Sequence, residues 1–203
     1  MKKISALVYV ITASLFSGSI LANEPGKSDT GLDYNYLGVD YASYTISSAS
    51  GKGVSGYAGY KVNGSALVSQ NIYLLANYFN VDKSSTVYEK SNIGLGYRMP
   101  IAANADFFTS LAYYSQTKEQ STSPTKKTNA GYNLSLGARA KISSDADITG
   151  AYSYISADSY SYNNFNLSIK YNLTDAIYAS GGYQSQTGSS SLSGYTLGLG
   201  LKF

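Results

Sequence analysis

Tyr195-Thr196-Leu197-Gly198-Leu199-Gly200-Leu201-Lys202-Phe203 closes the chain in strict alternation. Tyr195, Leu197, Leu199, Leu201 and Phe203 fall on one side of an extended backbone, and Thr196, Gly198, Gly200 and Lys202 on the other. A period of two belongs to a β-strand whose faces meet different surroundings. The pattern recurs upstream. Phe165, Leu167, Ile169, Tyr171 and Leu173 oppose Asn166, Ser168, Lys170 and Asn172. Tyr132, Leu134, Leu136, Ala138, Ala140 and Ile142 oppose Asn133, Ser135, Gly137, Arg139 and Lys141, and Ile93, Leu95, Tyr97 and Met99 oppose Asn92, Gly94, Gly96 and Arg98. A weaker copy over Val54 to Val68 keeps Tyr60 and Val62 opposite Lys61.

Each internal copy runs into a short polar turn: Ser69-Gln70-Asn71, Ala102 to Asp106, Ser143 to Asp147, and Thr174-Asp175-Ala176. An apolar residue follows each turn, and a tyrosine stands six places later on the same face, at Tyr78, Tyr113, Tyr154 and Tyr183. With an opening strand near Tyr34 to Ser43 the count is ten, an even number suited to a closed antiparallel barrel; merging strands at the N-terminal end would leave eight. In the opening strand Tyr34 and Tyr36 share one parity while Leu37, Val39 and Tyr41 share the other, which suggests a bulge. The remaining connections, Thr45 to Gly53, Asn80 to Lys90, Gln116 to Ala130, Ala157 to Asn164 and Gln184 to Ser191, are longer and rich in Ser, Lys and Asn. The longest carries Lys118, Glu119, Pro124, Lys126 and Lys127, a charge set that reads as solvated surface.

Alternation alone does not say which face is rolled inward. The polar face combines Gly, Ser and Asn with recurring Lys61, Arg98, Arg139 and Lys170, a set suited to a narrow wet lumen. The tyrosines six residues past each turn form a girdle where an apolar band would meet headgroups. Lys2 and Lys3 precede a weakly apolar run from Ile4 to Leu21, the form of a secretory signal peptide with cleavage expected after Ala22. The expectation is therefore a signal peptide over 1–22 and, over 23–203, an all-β, closed antiparallel transmembrane barrel with short periplasmic turns and longer extracellular loops. A soluble barrel with reversed faces is the alternative; it would expose Arg98 and Arg139.

The final strand, ending at Phe203 without a polar tail, looks like the terminal β-signal that barrel-insertion machinery reads in outer-membrane proteins. Over the whole mature chain the sequence resembles the small porin-like outer-membrane barrels that include the OmpA-type and OmpX-type domains. On Gly64-Ser65-Ala66-Leu67-Val68-Ser69-Gln70-Asn71-Ile72-Tyr73-Leu74, on Gly94-Leu95-Gly96-Tyr97-Arg98 and on the final strand, it is most similar to a xanthomonad-type family of short ten-strand barrels. That resemblance implies location in the cell outer membrane, with lipid and lipopolysaccharide as surroundings, and leaves the role open.

Composition narrows the chemistry. With no Cys there is no disulfide, thiolate metal site or lipidated cysteine, and with no His the usual general acid–base agent near neutral pH is missing. Enzymes on resembling barrels use an active-site His, so no catalytic, cofactor or metal site is expected. Removing residues 1–22 takes two of 15 basic residues and none of 12 acidic ones, leaving +1, a charge that does not point to nucleic acid. Asp106 and Asp147 each follow an inward-facing Arg98 or Arg139 by eight residues, which favours mutual neutralisation in the lumen over hydrolytic chemistry. Two roles remain: a structural or surface-exposed interaction barrel with an unidentified extracellular ligand, or a narrow pore whose basic lining favours anions. Inward-parity glycines, Gly59, Gly94, Gly96, Gly137, Gly182, Gly198 and Gly200, serve either sheet curvature or an open lumen.

Overall fold

The structure, a computed structural model, describes residues 30–48, 55–84, 86–120, 123–188 and 190–203. The expected signal peptide over 1–22 lies outside them. Ten strands follow in order: β1 Tyr36–Ser48, β2 Ser55–Leu67, β3 Ile72–Lys83, β4 Thr86–Ala102, β5 Ala105–Gln120, β6 Ser123–Lys141, β7 Ala146–Ala157, β8 Tyr160–Asn172, β9 Ile177–Gly188 and β10 Ser190–Lys202. Each pairs antiparallel with its sequence neighbours, and β1 pairs with β10 from Tyr36↔Lys202 to Ser48↔Ser190, closing the barrel. Ten strands, and not the alternative eight, are therefore present. Closure leaves no sheet edge within the barrel wall, as a lipid-embedded sheet requires.

The faces are rolled with the apolar side out. Leu95, Leu111, Leu134, Leu167 and Leu199 are exposed on the outer wall, whereas Arg98 and Asp106 are fully buried and Arg139 nearly so. This excludes the reversed barrel. Strands of 12 to 19 residues exceed the roughly 9–11 needed to cross the hydrocarbon core of a bilayer.

Three of the short turns are built alike. The first turn residue is a hydroxyl side chain that accepts the backbone N–H of the returning strand: Ile72 N to Ser69 Oγ at 3.2 Å, Ala146 N to Ser143 Oγ at 3.0 Å and Ile177 N to Thr174 Oγ1 at 3.0 Å. Such a bond replaces a ladder partner lost at the reversal. The turn read as Ala102 to Asp106 is tighter than expected, since β4 runs to Ala102 and β5 starts at Ala105. Pro100, which cannot donate to a ladder, sits at the register shift between Pro100 and Ala102.

At the other end the connections read as long loops are mostly continued strand. Asn80 to Lys90 pairs within itself from Asn80↔Glu89 to Lys83↔Thr86, and Gln116 to Ala130 pairs from Ser115↔Ala130 to Lys118↔Lys127. The added residues lengthen hairpins, because Thr, Val and Tyr at 86–88 and the cross-strand Thr117–Thr128 hydroxyl pair at 3.1 Å favour extended pairing.

The bulge expected in the opening strand is absent. The β1–β10 and β1–β2 registers run without a shift. Tyr36 is simply inward, in phase with Gly38 and Asp40, and Leu37, Val39 and Tyr41 are outward. Tyr34 precedes the strand and turns into the barrel. The parity conflict arises because this lumen takes aromatic rings.

Those rings explain three of the inward glycines, Gly96, Gly137 and Gly200, together with Gly194; at Gly59, Gly94, Gly182 and Gly198 the neighbours are backbone or small and polar side chains. Across the sheet Tyr73 faces Gly96, Phe108 faces Gly137, Tyr178 faces Gly200 and Tyr44 faces Gly194. A Cβ at Gly96 would collide with the Tyr73 ring, and one at Gly200 with the Tyr178 ring. Each of these four glycines leaves a slot that a neighbouring ring fills. Gly96→Ala is therefore expected to cost about 1–3 kcal/mol by overpacking. Gly150→Ala on the outer wall, where nothing lies within 4 Å of the added carbon, changes little. Urea unfolding of the two variants in bilayers checks the difference.

Candidate functional site

The candidate site is the lumen, and it has two parts. At the short-turn end, residues 30–35 enter the barrel ahead of β1. Leu32 and Tyr34 are buried with Leu67 and Tyr73, and Leu75 and Phe108 pack against them. The Tyr34 ring packs at a tilt 5.2 Å from the Tyr73 ring and lies near two guanidinium groups, 5.6 Å from Arg98 Cζ and 5.4 Å from Arg139 Cζ. Cation–π attraction to both arginines holds the ring.

The arginines are in turn fixed by carboxylates and backbone. Arg98 Nη1 donates to Asp106 Oδ2 at 3.0 Å, and its Nε donates to the carbonyl of Gln70 at 2.8 Å. Arg139 binds Asp147 by two parallel bonds of 2.8 Å from Nε and Nη2, and its Nη1 donates to the carbonyl of Asp33 at 2.6 Å. The two-pronged pair is the stronger arrangement. The eight-residue spacing works because each pair spans a hairpin: on β4–β5, Pro100 faces Asp106, and on β6–β7, Arg139 faces Thr149, two residues from Asp147. Asn35 Oδ1 accepts the Leu67 N–H at 2.7 Å, and Lys202 Nζ lies 3.3 Å from Asp33 Oδ2. The segment is thus bound to β2, β6 and β10.

Above this closure lies a cavity of about 300 Å³. Lys61, Lys90 and Lys170 face it, with Asp40 and a wall of Asn and Ser side chains. Lys170 Nζ sits 3.0 Å from the centroid of the Tyr36 ring, and Lys90 Nζ donates to Gln186 Oε1 at 3.0 Å. Asp40 accepts from Ser180 Oγ at 2.6 Å and from Asn63 Nδ2 at 2.7 Å. At the end of the cavity toward the long hairpins, Tyr114, Ile155 and Tyr162 line it as a second buried group, with Tyr162 Oη donating to Tyr114 Oη at 2.8 Å.

On the outer wall Tyr113 and Tyr154 are exposed, and Tyr183 packs 5.2 Å from the Tyr195 ring. Tyr78 departs from the expected girdle. It is only 7% exposed, with its hydroxyl donating to Glu89 Oε1 at 3.0 Å and its ring 6.0 Å from Tyr60. Glu89 supplies a polar partner that draws the hydroxyl into a local cluster. Tyr195, Leu197, Leu199, Leu201 and Phe203 form an exposed apolar stripe along β10.

Sequence reading missed three components of the lumen: the entry of residues 30–35, Asp40, and the inward rings of Tyr36, Tyr44, Tyr73, Tyr114, Tyr162 and Tyr178. The available signal was an aromatic on one strand facing a glycine on the next. Using it requires the register between strands.

A family model described as an outer membrane protein beta-barrel domain matches residues 6–172. Among solved structures the chain is similar to the attachment invasion locus protein of Yersinia pestis, at 9% identity and a TM-score of 0.44, covering 85% of this chain and 100% of that one. It is also similar to the translocator domain of the Neisseria meningitidis autotransporter NalP, at 11% and 0.45, covering 98% and 96%. A third is the beta domain of the Bordetella autotransporter BrkA, at 8% and 0.49, covering 83% and 98%. Among curated proteins none matches by sequence.

Proposed function

Because this chain belongs to the outer membrane protein beta-barrel domain family, we propose that it is a non-enzymatic integral barrel, closed to bulk solute and acting through its outer surface. Its partners in this reading are lipid and lipopolysaccharide around the wall and the barrel-insertion machinery at β10. The observation that carries the reading is the closure by residues 30–35: Leu32, Tyr34, Tyr73 and Phe108 pack together at the short-turn end, and Arg98 and Arg139 hold the Tyr34 ring. A ten-strand barrel lies near the size that side chains fill, and here they are drawn from the segment ahead of the barrel as well as from its strands. The lack of His in the whole chain supports the non-enzymatic part.

The test is conductance in planar bilayers. The intact chain is expected to show no stepwise current, and Leu32→Gly with Tyr34→Gly is expected to produce discrete steps. Steady unit conductance from the intact chain would overturn the closed reading. It would favour the second one, a narrow channel, which the lysine-lined cavity above the closure supports.

A further inference from the structure

The cavity holds more positive charge than the barrel neutralises. Five charged side chains face it: Lys61, Lys90, Lys170, Arg139 and Asp40. Arg139 is matched by Asp147 through two hydrogen bonds. Asp40 is bound by Ser180 and Asn63 and forms no ion pair, although it stands directly opposite Lys61 on the neighbouring strand. Among the described residues none of the three lysines forms an ion pair. Three lysines therefore face one carboxylate, a formal excess of two positive charges within a protein-walled space.

Placement concentrates that excess. Lys61, Asp40, Gly198, Ser180, Lys170 and Asp147 lie in one lateral row across β2, β1, β10, β9, β8 and β7, each facing the next in register, and both oxygens of Asp147 are taken by Arg139. Gly198 occupies the middle of the row, where a Cβ would collide with the Asp40 carboxylate, so between the two lysines the wall carries only the short Asp40 and Ser180 side chains, which bond to each other. Opposite stand Asn92 and Asn133, whose amides bond to each other at 3.2 Å and leave donors for a guest. Unpaired cations with reduced access to water are costly, and an anion between them offsets that cost. The volume of about 300 Å³ is at the lower end of cavities that take small ligands.

We infer that this cavity is a binding site for a small oxyanion, a carboxylate or phosphate group, held between the Lys61 and Lys170 ammonium groups with asparagine amides around it. The inference concerns the midsection of the lumen and stands whether or not the barrel conducts.

The test uses the full barrel refolded in detergent and inorganic phosphate as probe, followed by ³¹P line broadening at constant ionic strength set with potassium chloride. Saturable broadening is expected for the intact chain, with affinity at least tenfold weaker in Lys61→Gln/Lys170→Gln. Lys83→Gln/Lys127→Gln, which removes two exposed lysines, is expected to bind as the intact chain does. A heat-dependent shift on an SDS gel verifies that each variant is folded. If the double variant does not refold, the two single variants are compared instead, each expected to bind several-fold more weakly. Absence of saturable binding by the intact chain overturns the inference, as does equal binding by the lumen variants and the intact chain.

Discussion

Arg139→Ala is expected to destabilise the barrel by about 3–5 kcal/mol, the range for removing one partner of a buried ion pair. The loss exceeds the value of the contacts themselves. Asp147 is 8% exposed, and both of its carboxylate oxygens would lose the guanidinium. The carbonyl of Asp33 loses its donor, and one of the two cations flanking Tyr34 disappears. Removing both charges in Arg139→Met/Asp147→Leu is expected to recover most of the loss, because neither member of the pair is then left without the other. Urea unfolding and refolding in lipid vesicles measures both. A single variant within 1 kcal/mol of the parent would show that water reaches Asp147 freely and that the closure is looser than its geometry indicates. The single variant is also expected to show intermittent current in planar bilayers, since the segment it releases is the one that fills the short-turn end.

The second large effect concerns the opposite face of the same wall. Leu197 lies near the middle of β10 and is 71% exposed on the outer side. Leu197→Arg is expected to cost about 2–4 kcal/mol in a bilayer, the value for a cation at the midplane of a membrane barrel's lipid face. The adjacent Thr196 faces the cavity, and Thr196→Ser is expected to leave stability nearly unchanged. The same unfolding experiment separates the two positions. A neutral Leu197→Arg would mean that this stripe faces water or protein, and the lipid-facing assignment of β10 would fail with it.

The two predictions draw on different amounts of sequence information. Leu197 and Thr196 belong to an alternation visible along nine consecutive residues, so their opposite environments can be read locally once the barrel is known to lie in a membrane. The same holds for Arg98 and Arg139, whose carboxylate partners come eight residues later across a single hairpin. The role of Tyr34 could not be read this way. Its contacts are with Tyr73, Arg98 and Arg139, on three other strands, and its parity beside Leu37 and Val39 suggested a bulge that the continuous β1 register excludes. The long connections were misread for a related reason. Ser- and Lys-rich composition describes solvent exposure equally well for loops and for hairpins that extend beyond a membrane, and only pairing such as Lys118↔Lys127 distinguishes them.

Sequence by itself determined the period of two, the positions of most reversals, a strand number of ten or eight and the chemical character of each face, because these depend on residues close along the chain. Tertiary structure decided which rings fill which glycine slots, that residues 30–35 close the short-turn end, and that Lys61 and Lys170 share a lateral row. These depend on register between strands. The seam of β1 with β10 joins Tyr36 to Lys202, and a one-residue slip there would exchange the two faces of a strand. Local alternation says that a strand has two faces, but the closed ring of registers sets what each inward side chain meets.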